Sequence, residues 1–100
     1  MRVGEIAAKV RSKNAGPFWV TVDVFCGSRA AYDRLVPALS TAAVAQLYRQ
    51  PEQLLKRFDI ADLNVIKVSF PRPVVQGSRD DRDMHGAQWA HLLAEMEIDG

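Results

Sequence analysis

The sequence predicts an α+β fold, a ferredoxin-like two-layer sandwich whose antiparallel sheet carries helices on one face. Three observations lead to this prediction. Paired segments in each half of the chain alternate apolar and polar residues, which is the period of half-buried strands. Each pair is followed by a segment whose apolar residues recur at helical spacing. The resulting order of strand, strand, helical unit, strand, strand and helix is a ββα unit repeated twice.

The first two strands form a predicted N-terminal hairpin. In the first strand, the alternation runs over apolar Ile6, Ala8 and Val10 and polar Glu5, Lys9 and Arg11. In the second, it runs over Phe18, Val20, Val22 and Val24 against Trp19, Thr21, Asp23 and Phe25. The segment from Lys13 to Pro17 joins them, and its Gly16 and Pro17 are typical of a tight turn. An antiparallel hairpin is the simplest connection.

A broken helical unit follows. Ser28 is a predicted N-cap, and the apolar stripe after it consists of Tyr32, Leu35, Val36 and Leu39. Pro37 lies inside this stripe and lacks an amide donor, so we expect the helix to end or kink between Val36 and Leu39. Ser40 or Thr41 then caps a second stretch, which ends before Pro51 and buries Val44, Leu47 and Tyr48.

The second half repeats the pattern. Leu54 to Ile60 is predicted as a strand, residues 61–64 as a turn, and Val65 to Phe70 as a strand. The segment from Pro71 to Asp83 contains prolines, Gly77 and mixed charges, which predicts an exposed loop. From Gly86 to about Glu95 helical spacing returns, with Trp89, Leu92, Leu93 and Met96 on one stripe. On this assignment one group of polar side chains shares the sheet face that the helices leave uncovered: Lys9, Arg11, Thr21, Asp23, Lys67 and Ser69.

Size and composition limit the classes of function. A chain of 100 residues forms one domain, residues 1–100, and is too short to enclose a deep cavity by itself. Its net charge is +1, from 13 basic and 12 acidic residues spread along the chain, which argues against a nucleic-acid partner. We also expect no membrane segment and a cytoplasmic location, since no long apolar block or leader-like N-terminus is present. The single cysteine, Cys26, fits a reducing compartment and a buried apolar role.

The segment from Arg11 to Asn14 is the first candidate site. Lys13 supplies a point charge and Asn14 an amide that donates and accepts, so together they could hold a carboxylate or phosphate. Alternatively they are simply good turn formers. Arg11 and Ser12, which lead into the turn, and Thr21 on the next strand belong to the same predicted ligand-binding group, as do Arg72 and Gln88 later in the chain.

Asp23 is the candidate catalytic carboxylate, because a half-buried acid in an apolar strand needs a partner. Arg11 and Lys67 are the obvious cross-strand partners in a structural ion pair. If another chain covered this face, the carboxylate would be desolvated and suited to act as a base.

The other candidates lie later in the chain. His85 is the better histidine for acid–base work, since His91 falls within a helical stripe and is expected to cap or pack. Arg72, held between two prolines, is preorganised for an anion or marks a strand exit, and Gln88 begins a helix whose free amides could hold an anion. The acidic residues Asp80, Asp81 and Asp83 near His85 favour a solvated loop over a metal site, because arginines are interleaved. No metal site and no cofactor are predicted.

Several motifs carry a family resemblance. They are Gly4-Glu5-Ile6-Ala7, the block from Val10 to Phe18, Thr21-x-Asp23, Pro71-Arg72-Pro73, Asp83-x-x-Gly86-Ala87-Gln88 and the ending Leu93 to Ile98. With these motifs the chain resembles a bacterial family of about 100 residues, the domain of unknown function DUF4387. That family is similar to the C-terminal ferredoxin-fold domain of AtuA-like acyclic terpene utilisation proteins.

The resemblance implies a small subunit that works with a larger AtuA-like protein in acyl-CoA or organic-acid catabolism. Two alternatives stay open. One is a free-standing lyase or hydratase acting on a small carboxylate, with Asp23 or His85 as base and Lys13 with Arg72 as anion clamp. The other is a homo-oligomeric binding module that pairs through the open sheet face, where Trp19 and Phe25 need a cover.

Overall fold

The described part of the chain is built on a four-stranded antiparallel sheet. A computed structural model describes residues 1–72 and 88–98 of the chain. The strands are β1 (Lys9–Asn14), β2 (Trp19–Phe25), β3 (Lys56–Ile60) and β4 (Val65–Pro71), and their order across the sheet is β1-β2-β4-β3. The two hairpins therefore lie side by side, with β2 and β4 at the centre. The predicted antiparallel sheet in an α+β fold is confirmed.

Helices cover one face of this sheet. In the described part of the chain they are α1 (Val3–Ile6), α2 (Arg29–Ala38), α3 (Thr41–Leu47) and α4 (Gln88–Ala94). Alternate residues of the central strands point toward them and are almost fully buried: Val20, Val22, Val24, Ile66, Val68 and Phe70. The hydrophobic core lies between these two layers, which is where the sequence periodicity placed it.

The broken helical unit matches its prediction closely. Ser28 accepts a hydrogen bond from the Ala31 amide, and Ser40 accepts one from the Ala43 amide, both at 3.1 Å. These side chains satisfy amides that a helix leaves unpaired at its start. Pro37 lies in the last turn of α2, and the helix ends one residue later.

An aromatic cluster attaches α3 and α4 to the sheet. Tyr48 stacks on Phe70 with ring centroids 4.6 Å apart, and Trp89 meets both rings edge-on. The Tyr48 hydroxyl donates a 2.6 Å hydrogen bond to the Trp89 carbonyl. Burial raises the pKa of this hydroxyl, so it remains a donor.

The N-terminal segment differs from its prediction. The alternation from Glu5 to Arg11 predicted one strand, but residues Val3–Ile6 form a short helix and β1 begins at Lys9. The cause is tertiary packing: Val3 is completely buried, and its amide donates to the Met96 carbonyl at 3.0 Å. Local alternation over so few residues is easily overridden by such contacts.

Three smaller expectations also change. Glu52–Leu54 forms a 3-10 turn, so β3 starts at Lys56 and not at Leu54. Leu92 is 44 % exposed, because it lies off the side of α4 that buries Leu93. His91 is exposed and lies 3.9 Å from a Glu95 carboxylate oxygen, so it does not pack into the core.

The predicted loop after Pro71, with its acidic residues and His85, lies outside the described residues apart from Pro71 and Arg72. Within residues 1–72 and 88–98, no helix is both long and apolar enough to cross a bilayer.

Candidate functional site

The sheet face opposite the described helices is the candidate site, and we call it the open face. Strand pairing fixes which side chains share it, because residues paired across strands point to the same side. The open face carries Lys9, Arg11 and Lys13 from β1, Trp19, Thr21, Asp23 and Phe25 from β2, Lys56, Phe58 and Ile60 from β3, and Val65, Lys67, Ser69 and Pro71 from β4. The predicted grouping of Lys9, Arg11, Thr21, Asp23, Lys67 and Ser69 on one sheet face, opposite the described helices, is confirmed.

All four lysines of the chain lie on the open face, namely Lys9, Lys13, Lys56 and Lys67. Among the described residues, these lysines and Arg11 place five cations on the open face against one carboxylate, that of Asp23. The whole chain has a net charge of only +1. Folding therefore concentrates on one surface a positive charge that the linear sequence hides.

Aromatic side chains are interleaved with these cations. The Lys56 ammonium lies 5.0 Å from the centre of the Trp19 ring, and the Lys9 ammonium lies 5.9 Å from that of Phe25. Both distances are those of cation–π contacts. Phe58 is 53 % exposed and Phe25 is 38 % exposed. The open face thus combines positive charge with uncovered apolar area.

Asp23 lies at the centre of the face between two cations. It is directly opposite Arg11 on β1 and Lys67 on β4, the two cross-strand neighbours that the sequence predicted. Within the described residues, however, neither cation comes within 4.0 Å of the carboxylate to form an ion pair. The structural ion pair expected from sequence is therefore not formed in this part of the chain, although both partners are in place.

A cavity of about 340 Å³ adjoins this carboxylate. Its lining consists of Arg11, Ser12, Lys13, Asp23 and Phe25. Two cations and one acid thus border a single small volume, beside an aromatic ring. This cavity lies on the open face, above the paired strands β1 and β2. Its side chains can bind a small polar molecule.

The sequence model of a protein family, described as a domain of unknown function (DUF4387), matches residues 3–97. This chain belongs to the DUF4387 family. Neither a curated protein nor a solved structure gives a significant match.

The residues of β1 that were predicted to bind a ligand lie on both faces of the sheet. Arg11 and Lys13 point to the open face, whereas Ser12 and Asn14 are paired with Val22 and Val20 on the helix side. The Ser12 hydroxyl accepts a 2.9 Å hydrogen bond from the Ala90 amide in the first turn of α4. Ser12 therefore caps a helix of another part of the chain.

The predicted clamp of Lys13 and Asn14 is not assembled, because neighbouring residues of a strand point in opposite directions. Asn14 Oδ1 instead accepts a 2.7 Å hydrogen bond from Arg72 Nη1. Arg72 thus reaches the helix side of the sheet, away from Lys13. Lys13 and Arg72, the second predicted clamp, therefore lie on opposite faces of the sheet and do not come together.

The remaining predicted residues have other settings. Thr21 belongs to the open face but is only 5 % exposed, and its hydroxyl lies 3.1 Å from that of Ser69. Gln88 is exposed and is the first residue of α4 on the helix side. His85 lies outside the described residues. Across residues 1–72 and 88–98, no group of three metal-binding side chains comes together.

Arg57 is a residue that the sequence analysis missed. Its side chain is 12 % exposed and extends from β3 to the end of α2. There Nη2 donates to the Val36 carbonyl at 2.9 Å, Nη1 donates to the Leu39 carbonyl, and Nε donates to Asp59 Oδ1 at 2.9 Å. Arginine in a strand gives no sequence signal for this role, since both carbonyls are distant in the chain.

Cys26 is buried at 2 % exposure, as predicted. Burial raises the pKa of its thiol and so disfavours the reactive thiolate. This thiol has no part in the candidate site.

Proposed function

We propose that this chain is a small accessory subunit that binds a larger AtuA-like protein through the open face and acts with it in acyl-CoA or organic-acid catabolism in the cytoplasm. The larger partner and the pathway come from the family resemblance. We further propose that the two ββα units form a ferredoxin-like sandwich, with which the strand order is compatible. The single observation that carries the proposal is the composition of the open face.

Uncovered apolar area on a sheet face is a sign of an interface. Trp19, Phe25 and Phe58 share the open face, and Leu54 and Leu63, at the two ends of β3, add further exposed apolar surface. Aromatic residues and arginine are enriched at the centre of protein interfaces. A partner that contacts this face would remove that apolar surface from water.

The charge of the open face selects the kind of partner. Two copies of this chain placed face to face would bring together two surfaces on each of which the described residues place five cations and one carboxylate. Like charges in contact across an interface cost several kcal/mol in rough terms, so a face-to-face homodimer is disfavoured. A larger protein that presents carboxylates opposite β1 would meet complementary charge.

A second candidate function is the free-standing enzyme acting on a small carboxylate. The cavity beside Asp23 favours this function, because Arg11 and Lys13 in its lining could bind the carboxylate of a substrate. The placement of Arg72 on the other side of the sheet argues against an anion clamp formed by Lys13 and Arg72. We therefore prefer the role of an accessory subunit to that of a free-standing enzyme.

Co-expression with the larger AtuA-like protein tests the proposal. The two chains should co-purify from an affinity tag on the larger one. Lys13→Glu and Lys67→Glu, which reverse charges on the open face, should each weaken recovery of the small chain. Arg29→Glu reverses an exposed charge on α2 and should leave recovery unchanged. A small chain that remains alone during co-expression contradicts the subunit role.

A further inference from the structure

The cavity lined by side chains of β1 and β2 carries both signs of charge. Arg11 and Lys13 of β1 supply the positive charges, and Asp23 of β2 supplies the negative charge. None of these three side chains forms a hydrogen bond or an ion pair with another residue in the described part of the chain. All three are therefore available to a ligand. Phe25, 38 % exposed, adds an apolar wall.

The geometry points to a small carboxylate that also carries a hydrogen-bond donor, a hydroxyl or an ammonium group, on a neighbouring carbon. Its carboxylate would bind Arg11 and Lys13, its donor would bind the Asp23 carboxylate, and its hydrocarbon part would contact Phe25. This goes beyond the proposed function, which names no ligand structure. It rests on that function only for the partner surface that would close the exposed side of the cavity.

The mixture of charges disfavours simpler ligands. A plain anion would be held by the two cations but would also be repelled by Asp23, which has no counterion within 4.0 Å in the described part of the chain. A plain cation would meet the opposite problem at Arg11 and Lys13. A molecule that offers both an anionic group and a donor satisfies all three side chains.

The spacing sets the size of the ligand. Arg11 and Asp23 are directly opposed across the two strands, where Cβ atoms are about 5 Å apart. The cavity volume of about 340 Å³ is near the lower limit for small-molecule sites. The separation of the two side chains fits an acid of a few carbon atoms, and the cavity has room for it. Since one side is open, we expect millimolar binding to the isolated chain.

Titration of the isolated chain with four molecules of matched shape tests the inference. Lactate carries a carboxylate and a hydroxyl, free alanine a carboxylate and an ammonium, propionate only the carboxylate, and isopropanol only the hydroxyl. In amide proton–nitrogen spectra, lactate or alanine should shift the signals of Arg11, Lys13 and Asp23. Either should bind about tenfold more tightly than propionate, and isopropanol should cause no shift.

Three variants assign the contacts. Arg11→Gln should weaken binding of every carboxylate. Asp23→Ala should remove the preference for lactate or alanine over propionate. Lys56→Gln lies on the same face at the opposite edge of the sheet, so it should change neither affinity nor preference. The dispersion of each spectrum shows whether the variant is folded.

Two results would overturn the inference. One is equal affinity for propionate and the molecules that carry a donor, and the other is the absence of shifts at the cavity with all four. A preference for lactate or for alanine tells which donor Asp23 accepts, and each supports the inference. Because no partner is present in this titration, its failure leaves the co-purification result unaffected, and the reverse also holds.

Discussion

Arg57 joins the two layers of the fold through a single side chain. Its guanidinium donates to carbonyls 18 and 21 residues earlier in the chain and to Asp59 on its own strand. These carbonyls belong to the end of α2, where a helix leaves acceptors without partners. Side-chain periodicity carries no information about such acceptors, so the contact follows only from the tertiary structure.

Replacing Arg57 should lower stability clearly. Arg57→Met removes the donors to Val36 and Leu39 and leaves their carbonyls half-buried, so we expect a loss of about 1–3 kcal/mol in the free energy of unfolding. Urea denaturation measures this loss. Arg29→Met is the matched control, because its ion pair with Asp33 is exposed and should contribute only about 0.5 kcal/mol or less. Equal losses in the two variants would contradict the role given to Arg57.

Tyr48 makes stability depend on pH at the alkaline end. Burial raises the pKa of its hydroxyl in the folded chain, so at high pH the unfolded chain loses this proton while the folded chain retains it. The stabilisation is complete below the ordinary tyrosine pKa of about 10 and decreases as the pH rises above it.

The variant Tyr48→Phe tests this dependence. Its free energy of unfolding should fall less than that of the natural chain between about pH 8 and about pH 11, because the titrating hydroxyl is absent. Urea denaturation at several pH values in this range gives the two slopes. If they coincide, Tyr48 is not the group responsible.

At the scale of elements, the accuracy with which the sequence predicted a helix or strand increased with the length of its pattern. β2 and β4 have long alternating runs, and both their bounds and their faces were predicted nearly correctly. The caps Ser28 and Ser40 were found because capping depends on local chemistry. The predicted N-terminal strand failed because contacts with α4 and Met96 decide the conformation of residues 3–6.

The candidate site was predictable in part for the same reason. Alternation placed Arg11 and Asp23 on one face, as the structure has them. Lys13 was predicted in the turn, but β1 extends to Asn14 and brings Lys13 to the same face. The interpretation of Asn14 and Ser12 as members of the same site ignored that alternation within β1. The contribution of Lys56 and Phe58 required the strand order, which one sequence does not determine.

Gly27 holds the turn between β2 and α2 beside the segment that precedes β1. Its φ is 88°, and a Cβ atom there would lie 2.7 Å from Ala8 Cβ. Gly16, at the tip of the first hairpin, has a similar φ of 78° but no atom within 4 Å of such a Cβ. A side chain at either glycine would strain the backbone, but only one at Gly27 would also clash with a neighbouring residue.

We expect Gly27→Ala to be the more harmful of the two substitutions. Gly16→Ala should cost about 1 kcal/mol through its positive φ alone, and Gly27→Ala at least about 1 kcal/mol more, because Ala8 must move. Thermal or urea unfolding of both variants gives the comparison. A loss at Gly27 no greater than that at Gly16 would show that the contact with Ala8 relaxes freely.

At the scale of the whole molecule, the fold separates two kinds of surface. One face of the sheet packs against helices, and the other collects all the lysines, Arg11 and three aromatic rings. Average charge along the chain did not predict this, because the cations come from β1 and from the hairpin of β3 and β4, which are distant from each other in sequence. The open face is the basis of both the subunit role and the ligand cavity.

Chemical labelling of amines tests the central claim most directly. The four lysines report on the open face, and the α-amine of Met1, paired with Glu97 away from the sheet face, serves as the internal control. An amine-reactive reagent is applied to the chain alone and to the chain mixed with the larger AtuA-like protein that we propose as its partner. Mass spectrometry measures modification at each site. Docking through the open face predicts strong protection of Lys9, Lys13, Lys56 and Lys67 in the complex, with Met1 unchanged. Lysines that react equally in the complex and in the free chain would contradict it.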